Sequence, residues 1–148
     1  VEHAQLLDYI AGIRPRLDVP ADSRFATVST LAADLGNTTI FPSLCGGGCL
    51  HVMSDERIGD GDAFAAAMST EGIDVLKIVP SHLEALLAAA QQPADVLPAR
   101  LLVLGGEACS WALVERVQGV VRTCVITWSC HLKRLCGVQR SRFVSQHR

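Results

Sequence analysis

None of the six cysteines in this 148-residue chain belongs to a C-x-x-C pair. Cys45, Cys49, Cys109, Cys124, Cys130 and Cys136 form no His/Cys cluster at zinc spacing, so a structural metal is not expected. Several lie in apolar runs, where a small buried thiol is at home, and the easiest setting for them is a reducing, cytoplasmic one. No uninterrupted apolar stretch approaches the ~20 residues of a membrane span, although 49% of the residues are hydrophobic and mean hydropathy is +0.30. No membrane partner is expected. The chain opens on Val1, with neither an initiator Met nor a charged-then-apolar signal segment, and reads as a piece of something longer.

Acids are missing from one end. From Thr127 to Arg148 there are Lys133, Arg134, Arg140, Arg142 and Arg148 but no Asp or Glu, while the first 126 residues hold all fifteen acids and the other eight bases. Such asymmetry can mark a nucleic-acid-binding tail. Here hydrophobic periodicity fades at the same point and Trp128, Cys130 and Cys136 enter, which favours a tail foreign to the fold. No nucleic-acid partner is expected. The reading is two segments: 1–126, one α/β unit, and 127–148, a divergent basic tail or an out-of-frame translation.

What is present alternates. "EHAQLLDYIAGI" has helical spacing and is expected to break at Pro15. "RFATVST" (24–30) and "CLHVM" (49–53) are strand-like. "GNTTIFPSLC" between them is ambiguous, and Gly46-Gly47-Gly48 ends it in a turn. Asp60 begins an alanine-rich helix closed by Gly72. "VLKIV" (75–79) is a strand, after which Pro80 and Ser81 open a helix, with serine as N-cap. "LLVLGG" (101–106) is a strand and glycine turn, Ser110 caps "WALVERVQG", and "TCVIT" (123–127) is the last strand. Apolar strands of about five residues between helices of about ten imply βαβ units: a mostly parallel sheet with helices on both faces.

Ligands of such sheets sit at the carboxyl ends of strands. Asp34, Lys77 and Gly105-Gly106-Glu107 all fall at such ends. Lys77 is the conspicuous one, because a lone buried ammonium is expensive. Leu76 and Ile78 fix the opposite face as apolar and place Lys77 on the alternate face with Val75 and Val79. Its head either snorkels to the surface or serves a ligand. Asp34 has two readings as well, a helix N-cap or a carboxylate for a cation.

Four segments, "VEHAQLLDYI", "LAADLGNTTIFPSLCGGGCLHV", "IDVLKIVPSHLEALL" and "LLVLGGEACSWALVERV", follow in an order that resembles the adenylation domains of nonribosomal peptide synthetases. These belong to the AMP-forming superfamily that includes acyl-CoA synthetases and luciferases. The resemblance covers about residues 1 to 126 and implies a subdomain cut from the large N-terminal domain of such an enzyme. It implies a parent that joins an amino acid to ATP with Mg2+, releases pyrophosphate, and passes the aminoacyl adenylate to a carrier-protein domain. It further implies that Asp34 holds the substrate's α-ammonium and that Leu35, Thr38, Lys77, Val103 and Gly105 line the pocket. The set Asp-Leu-Thr-Lys-Val-Gly resembles pockets for aspartate, with asparagine next, so that Lys77 would meet a β-carboxylate. Gly106, Glu107 and Ala108 resemble the turn lying against the adenine. No catalytic residue is assigned: His51, His82 and Glu107 receive no such role, and Gly46-Gly47-Gly48 lacks the lysine and Ser/Thr of a P-loop.

The family's phosphate loop would precede "VEH". After "TCVI" the family has Tyr-Gly-Pro-Thr-Glu, whereas this chain reads "TWSCHLKRLCGVQRSRF". The ribose-binding aspartate and the C-terminal catalytic lysine are absent too. The isolated chain is therefore expected not to adenylate. The alternative is a non-catalytic α/β remnant that binds a carboxylate-bearing ligand without ATP. An unrelated Rossmann-like binder would need a glycine fingerprint after its first strand, which "STLAADLG" does not supply.

Overall fold

Five short strands pair in one parallel sheet of order β2-β1-β3-β4-β5, in a computed structural model that describes residues 2–30, 32–120 and 124–129. They are β1 (Arg24–Thr27), β2 (Cys49–Val52), β3 (Val75–Ile78), β4 (Leu101–Gly105) and β5 (Val125–Ser129). The register sets Thr27 opposite Lys77, Lys77 opposite Val103, and Val103 opposite Thr127. Every residue of β3 and β4 is buried. Parallel strands covered on both faces have that property, and their apolar runs are the reason.

Alternation along each strand splits the apolar side chains between two cores. Leu76, Ile78, Leu102 and Leu104 pack with α4 (Gly61–Thr70), α5 (Pro80–Ala89) and α6 (Trp111–Val120), through Phe64, Leu83 and Leu113 among others. Phe25, Val75, Leu101 and Val103 face the other way, onto Leu17 of α1 (His3–Leu17). Each fully buried side chain of this size stabilises by roughly 1.5–3 kcal/mol. The first core holds far more of them, so it carries most of the fold's stability. The α1 side is the thinner one, and it shares its face with Lys77.

Chain order follows from the handedness of crossovers. From β1 the chain passes through α2 (Asn37–Gly46) to β2 on one flank; it then returns, by way of α3 (Asp55–Ile58) and α4, to β3, β4 and β5 on the other. The direction of winding reverses between β1 and β3. In an open α/β sheet that reversal opens a crevice at the carboxyl ends of the two strands. At the opposite ends of the strands, the Asp74 carboxylate accepts from Arg24 N (2.9 Å) and Arg100 Nε (2.9 Å), tying the starts of β1 and β4 to that of β3.

Several local expectations need correction. Pro15 does not end α1, which runs on to Leu17. A proline in the last turn forfeits only its own bond to the Ala11 carbonyl, and Asp18, left-handed at φ 54°, closes the helix instead. The ambiguous stretch after Asp34 is helical: a 3-10 turn over Asp34–Gly36 and then α2, with Pro42 inside it. Ser81 is not the N-cap of α5. That position is Val79, Pro80 takes the first helical position, and the Ser81 amide is satisfied by the carboxylate of Glu107 at 3.1 Å. Asp60 does cap α4, accepting from Ala63 N at 2.8 Å, and Gly72 stands at φ 58° just beyond it. Ser110 Oγ accepts from Leu113 N at 3.2 Å, the capping contact expected for α6. β5 runs Val125–Ser129, two residues further along than the expected strand 123–127. The basic tail from residue 130 on lies outside the described residues.

Candidate functional site

Thr27 ends β1 and Lys77 stands one residue before the end of β3 at the point where the winding reverses, on the α1 side of the sheet. The 3-10 turn Asp34–Gly36 and the start of α2 come down over them. Gly36 allows this approach: a Cβ there would stand 3.0 Å from Ile40 Cδ1 and 3.3 Å from Thr27 Oγ1. Thr38, buried in the first turn of α2, then meets the lysine. Lys77 Nζ donates to Thr38 Oγ1 at 2.7 Å, and Lys77 keeps 2% of its surface. The lysine head is therefore inside the molecule and does not snorkel.

Burial pushes the Lys77 ammonium below the ordinary lysine range, and the negative charge of Asp34 pulls it partly back. Asp34 itself is exposed and holds the N-cap position neither of the 3-10 turn, which is Ala33, nor of α2, which is Gly36. It lines a cleft of about 480 Å³ with Asn37 and Phe41 on one wall and Glu2, Leu6 and Tyr9 on the other. Lys77 does not line that cleft. It lies behind Thr38, whose Oγ1 is also 3.1 Å from the Tyr9 hydroxyl. From cleft to core the order is thus Tyr9, Thr38, Lys77. The carboxylate is at the mouth and the ammonium at depth.

The remaining expected residues form a second group at the end of β4. Val103 is beside Lys77 in register, and Gly105, buried, ends the strand. Gly106 is left-handed at φ 87°; a Cβ on it would meet Val79 Cγ1 at 3.1 Å and Leu35 Cδ1 at 3.5 Å. That is a position only glycine takes without strain, and it shows that Leu35 reaches across to the turn. Gly106, Glu107 and Ala108 are exposed. Their backbone is open to solvent at the end of β4. The turn presents no cation to phosphates, and the Glu107 carboxylate is already engaged by Ser81 N at the start of α5.

Two neighbours escaped the sequence reading. Tyr9 is the single tyrosine of the chain; its place on α1 opposite α2 is a tertiary property, and only its rarity pointed to it. Thr27 sits two residues beyond Phe25 on the same strand face, so period-2 alternation could have found it. Its Oγ1 is buried and has no hydrogen-bond partner among the described residues, on the strand beside the lysine and in register with it. His82, left without a catalytic role, bonds through Nε2 to Ile58 O at 2.7 Å and fastens α5 to the end of α3.

Comparison with known proteins places this geometry. The profile of the AMP-binding enzyme family matches residues 1–129. Surfactin synthase subunit 2 of Bacillus subtilis (strain 168) is 32% identical over 109 residues, 72% of this chain and 3% of that protein. Bacitracin synthase 3 of Bacillus licheniformis is 29% identical over 119 residues, 78% of this chain and 2% of its own length. The chain thus spans a few per cent of the curated relatives it matches. Among solved structures, the AMPPNP-bound form of the nonribosomal peptide synthetase FmoA3 superposes with a TM-score of 0.77 at 22% identity, covering 88% of this chain and 14% of the other. Holo-AB3403, a four-domain nonribosomal peptide synthetase bound to AMP and glycine, gives 0.69 at 22% identity, covering 87% and 10%. The chain belongs to the AMP-binding enzyme family, as a fragment of an adenylation domain of the nonribosomal peptide synthetase type.

Proposed function

We propose that this fragment carries the amino-acid-selecting part of an adenylation domain and that its parent activates aspartate, with asparagine as the nearest alternative. The observation that carries the reading is the buried Lys77 ammonium, bonded to Thr38 and biased by Asp34. A cation at that depth is costly unless something repays it. Asp34 at the mouth takes the α-ammonium of the substrate by a charge-assisted hydrogen bond, and Lys77 takes the far carboxylate. The reading adds Leu35, Val103 and Gly105 to the inner end around Lys77, behind the lining of the cleft itself. An acidic amino acid carries those two charges at its two ends in the matching order.

ATP supplies the adenylyl group in the parent enzyme, with Mg2+, and Gly106, Glu107 and Ala108 would lie against its adenine. These 148 residues contain no phosphate-loop lysine and no Tyr-Gly-Pro-Thr-Glu after β5. The fragment therefore binds its amino acid without activating it; adenylate formation, delivery to a carrier-protein domain and work in the cytoplasm belong to the parent. Calorimetry of the 148-residue chain with aspartate, on wild type and on Lys77→Ala, tests the reading. Loss of roughly 2 kcal/mol or more of binding, about thirtyfold, is the expected outcome for removing a charge-assisted contact. Equal affinity in both proteins overturns the β-carboxylate contact. Pyrophosphate exchange with aspartate is expected to show no turnover, and clear turnover overturns the inactivity.

A further inference from the structure

The chain of hydroxyls from Tyr9 through Thr38 to Lys77 crosses from α1 to α2 to β3 and joins the exposed cleft to the buried cation. An ammonium has three N–H donors and no acceptor. Thr38 Oγ1 must therefore accept from the charged lysine, which leaves the threonine's own O–H free to donate to the Tyr9 oxygen. A neutral amine permits the reverse order, with Tyr9 donating to Thr38 and Thr38 to the amine. The row has two polarities, and hydrogen bonds in a row polarise one another. Tyr9 decides how well the charged polarity is terminated.

We propose that Tyr9 is a positioning residue for substrate selection, which through Thr38 holds the Lys77 head charged and aimed, and so favours a carboxylate side chain over its amide. This rests on the amino-acid-binding reading above. Among the described residues Thr38 is the one acceptor on Lys77 Nζ, so one N–H is committed and two remain. A carboxylate offers two acceptor oxygens to those two donors. A carboxamide offers one oxygen and turns its own N–H donors toward a cation. Aspartate is then the preferred ligand and asparagine the rejected one. The groups around the lysine are few: Asp34 from the 3-10 turn, Tyr9 and Thr38 from the helices, and uncharged Thr27 and Val103 from the flanking strands. Glu2 and His3 stand further out in the cleft.

The test uses the 148-residue chain with isotope-labelled lysine. The Lys77 resonance is titrated by NMR in wild type, Tyr9→Phe, Thr38→Val and Thr38→Ser, and calorimetry gives aspartate and asparagine affinities for each. Tyr9→Phe keeps the ring and removes only the hydroxyl. It is expected to lower the Lys77 midpoint by roughly half a pH unit, about the size of one weak hydrogen bond. It should also narrow the aspartate-to-asparagine preference by about threefold or more. Thr38→Val should do at least as much, and Thr38→Ser should restore wild-type behaviour, which a merely space-filling role would not require. A midpoint unchanged in Tyr9→Phe overturns the proposal. A midpoint that moves in a protein binding neither amino acid supports the role of Tyr9 and overturns the substrate reading alone.

Discussion

The ammonium of Lys77 and the hydroxyl of Thr38 stand 2.7 Å apart in a place where the lysine is 98% removed from solvent. The consequence for stability has a definite sign. The folded lysine titrates below its ordinary value of 10.5, first because of burial and then, in opposition, because of Asp34. The unfolded chain thus binds the proton more tightly, and folding is penalised in full at pH values below the folded midpoint. As pH rises from that midpoint toward 10.5 the penalty is relieved and stability increases. Lys77→Met, of similar length and without charge, is expected to remove this alkaline gain and to raise stability at neutral pH by about 1 kcal/mol or more. Urea unfolding at several pH values checks both. The same substitution is expected to abolish aspartate binding, so stability and selectivity pull in opposite directions at this residue.

Two glycines should respond to the same substitution in opposite ways. A Cβ on Gly61, at the start of α4, would lie 2.6 Å from Ala90 N and 2.8 Å from the carbonyl carbon of Ala89, both main-chain atoms that have nowhere to go. Gly61→Ala is expected to destabilise by about 1–3 kcal/mol, the usual range for overpacking. A Cβ on Gly119 in α6 would meet nothing within 4 Å among the described residues. Gly119→Ala is expected to stabilise by roughly 0.5–1 kcal/mol through helix propensity. Thermal unfolding of the two variants beside wild type decides it.

Asp60 supplies the acceptor for the exposed amide of Ala63 in the first turn of α4. Asp60→Ala should cost about 1 kcal/mol, and Asp60→Asn much less, since the amide oxygen can cap as well. Denaturant midpoints with unchanged slopes would show that the loss is local to the cap.

Thiol chemistry should follow exposure. Cys45 and Cys49 are exposed, at the end of α2 and the start of β2. Burial, with the nearby charge of Glu84, raises the Cys109 thiol, and burial pushes Cys124 up to about 11. The thiolate is the reacting species. Alkylation at pH 8 followed by peptide mass spectrometry should therefore find Cys45 and Cys49 modified first and Cys124 last of these four. Rapid labelling of Cys124 in the folded chain would contradict its half-buried place against the core that holds Leu102 and Leu104.

The sheet was legible because its strands are buried on both faces and so read as unbroken apolar runs, from "VLKI" to "LLVLG". Helix boundaries were less so. Pro15 carries a strong breaker signal, yet so near the end of α1 it costs one bond with only two helical residues left to follow, and position within the helix outweighs residue type. Asn37–Gly46 gave an ambiguous pattern because α2 buries Thr38, Thr39 and Ser43 rather than an apolar stripe; the Thr39 and Ser43 hydroxyls are satisfied by the carbonyls of Gly36 and Ile40, and Thr38 meets Lys77. For the site itself, the resemblance singled out Asp34, Thr38 and Lys77, and alternation put Lys77 on the right face. Neither could supply Tyr9, which meets Thr38 from 29 positions away through the packing of two helices. The depth order from Asp34 to Lys77 is likewise a matter of tertiary placement that no local pattern encodes.

The second core makes an early segment wait for a late one. Leu17 closes α1, but its partners Val75, Leu101 and Val103 are encoded up to 86 positions downstream. At roughly 5–20 residues per second on the ribosome, α1 stays without its covering for about 4–17 s after it emerges. During that interval its apolar stripe is available to chaperones and to neighbouring nascent chains. Docking of this helix waits until β3 and β4 have emerged, and with it the meeting of Tyr9 and Thr38.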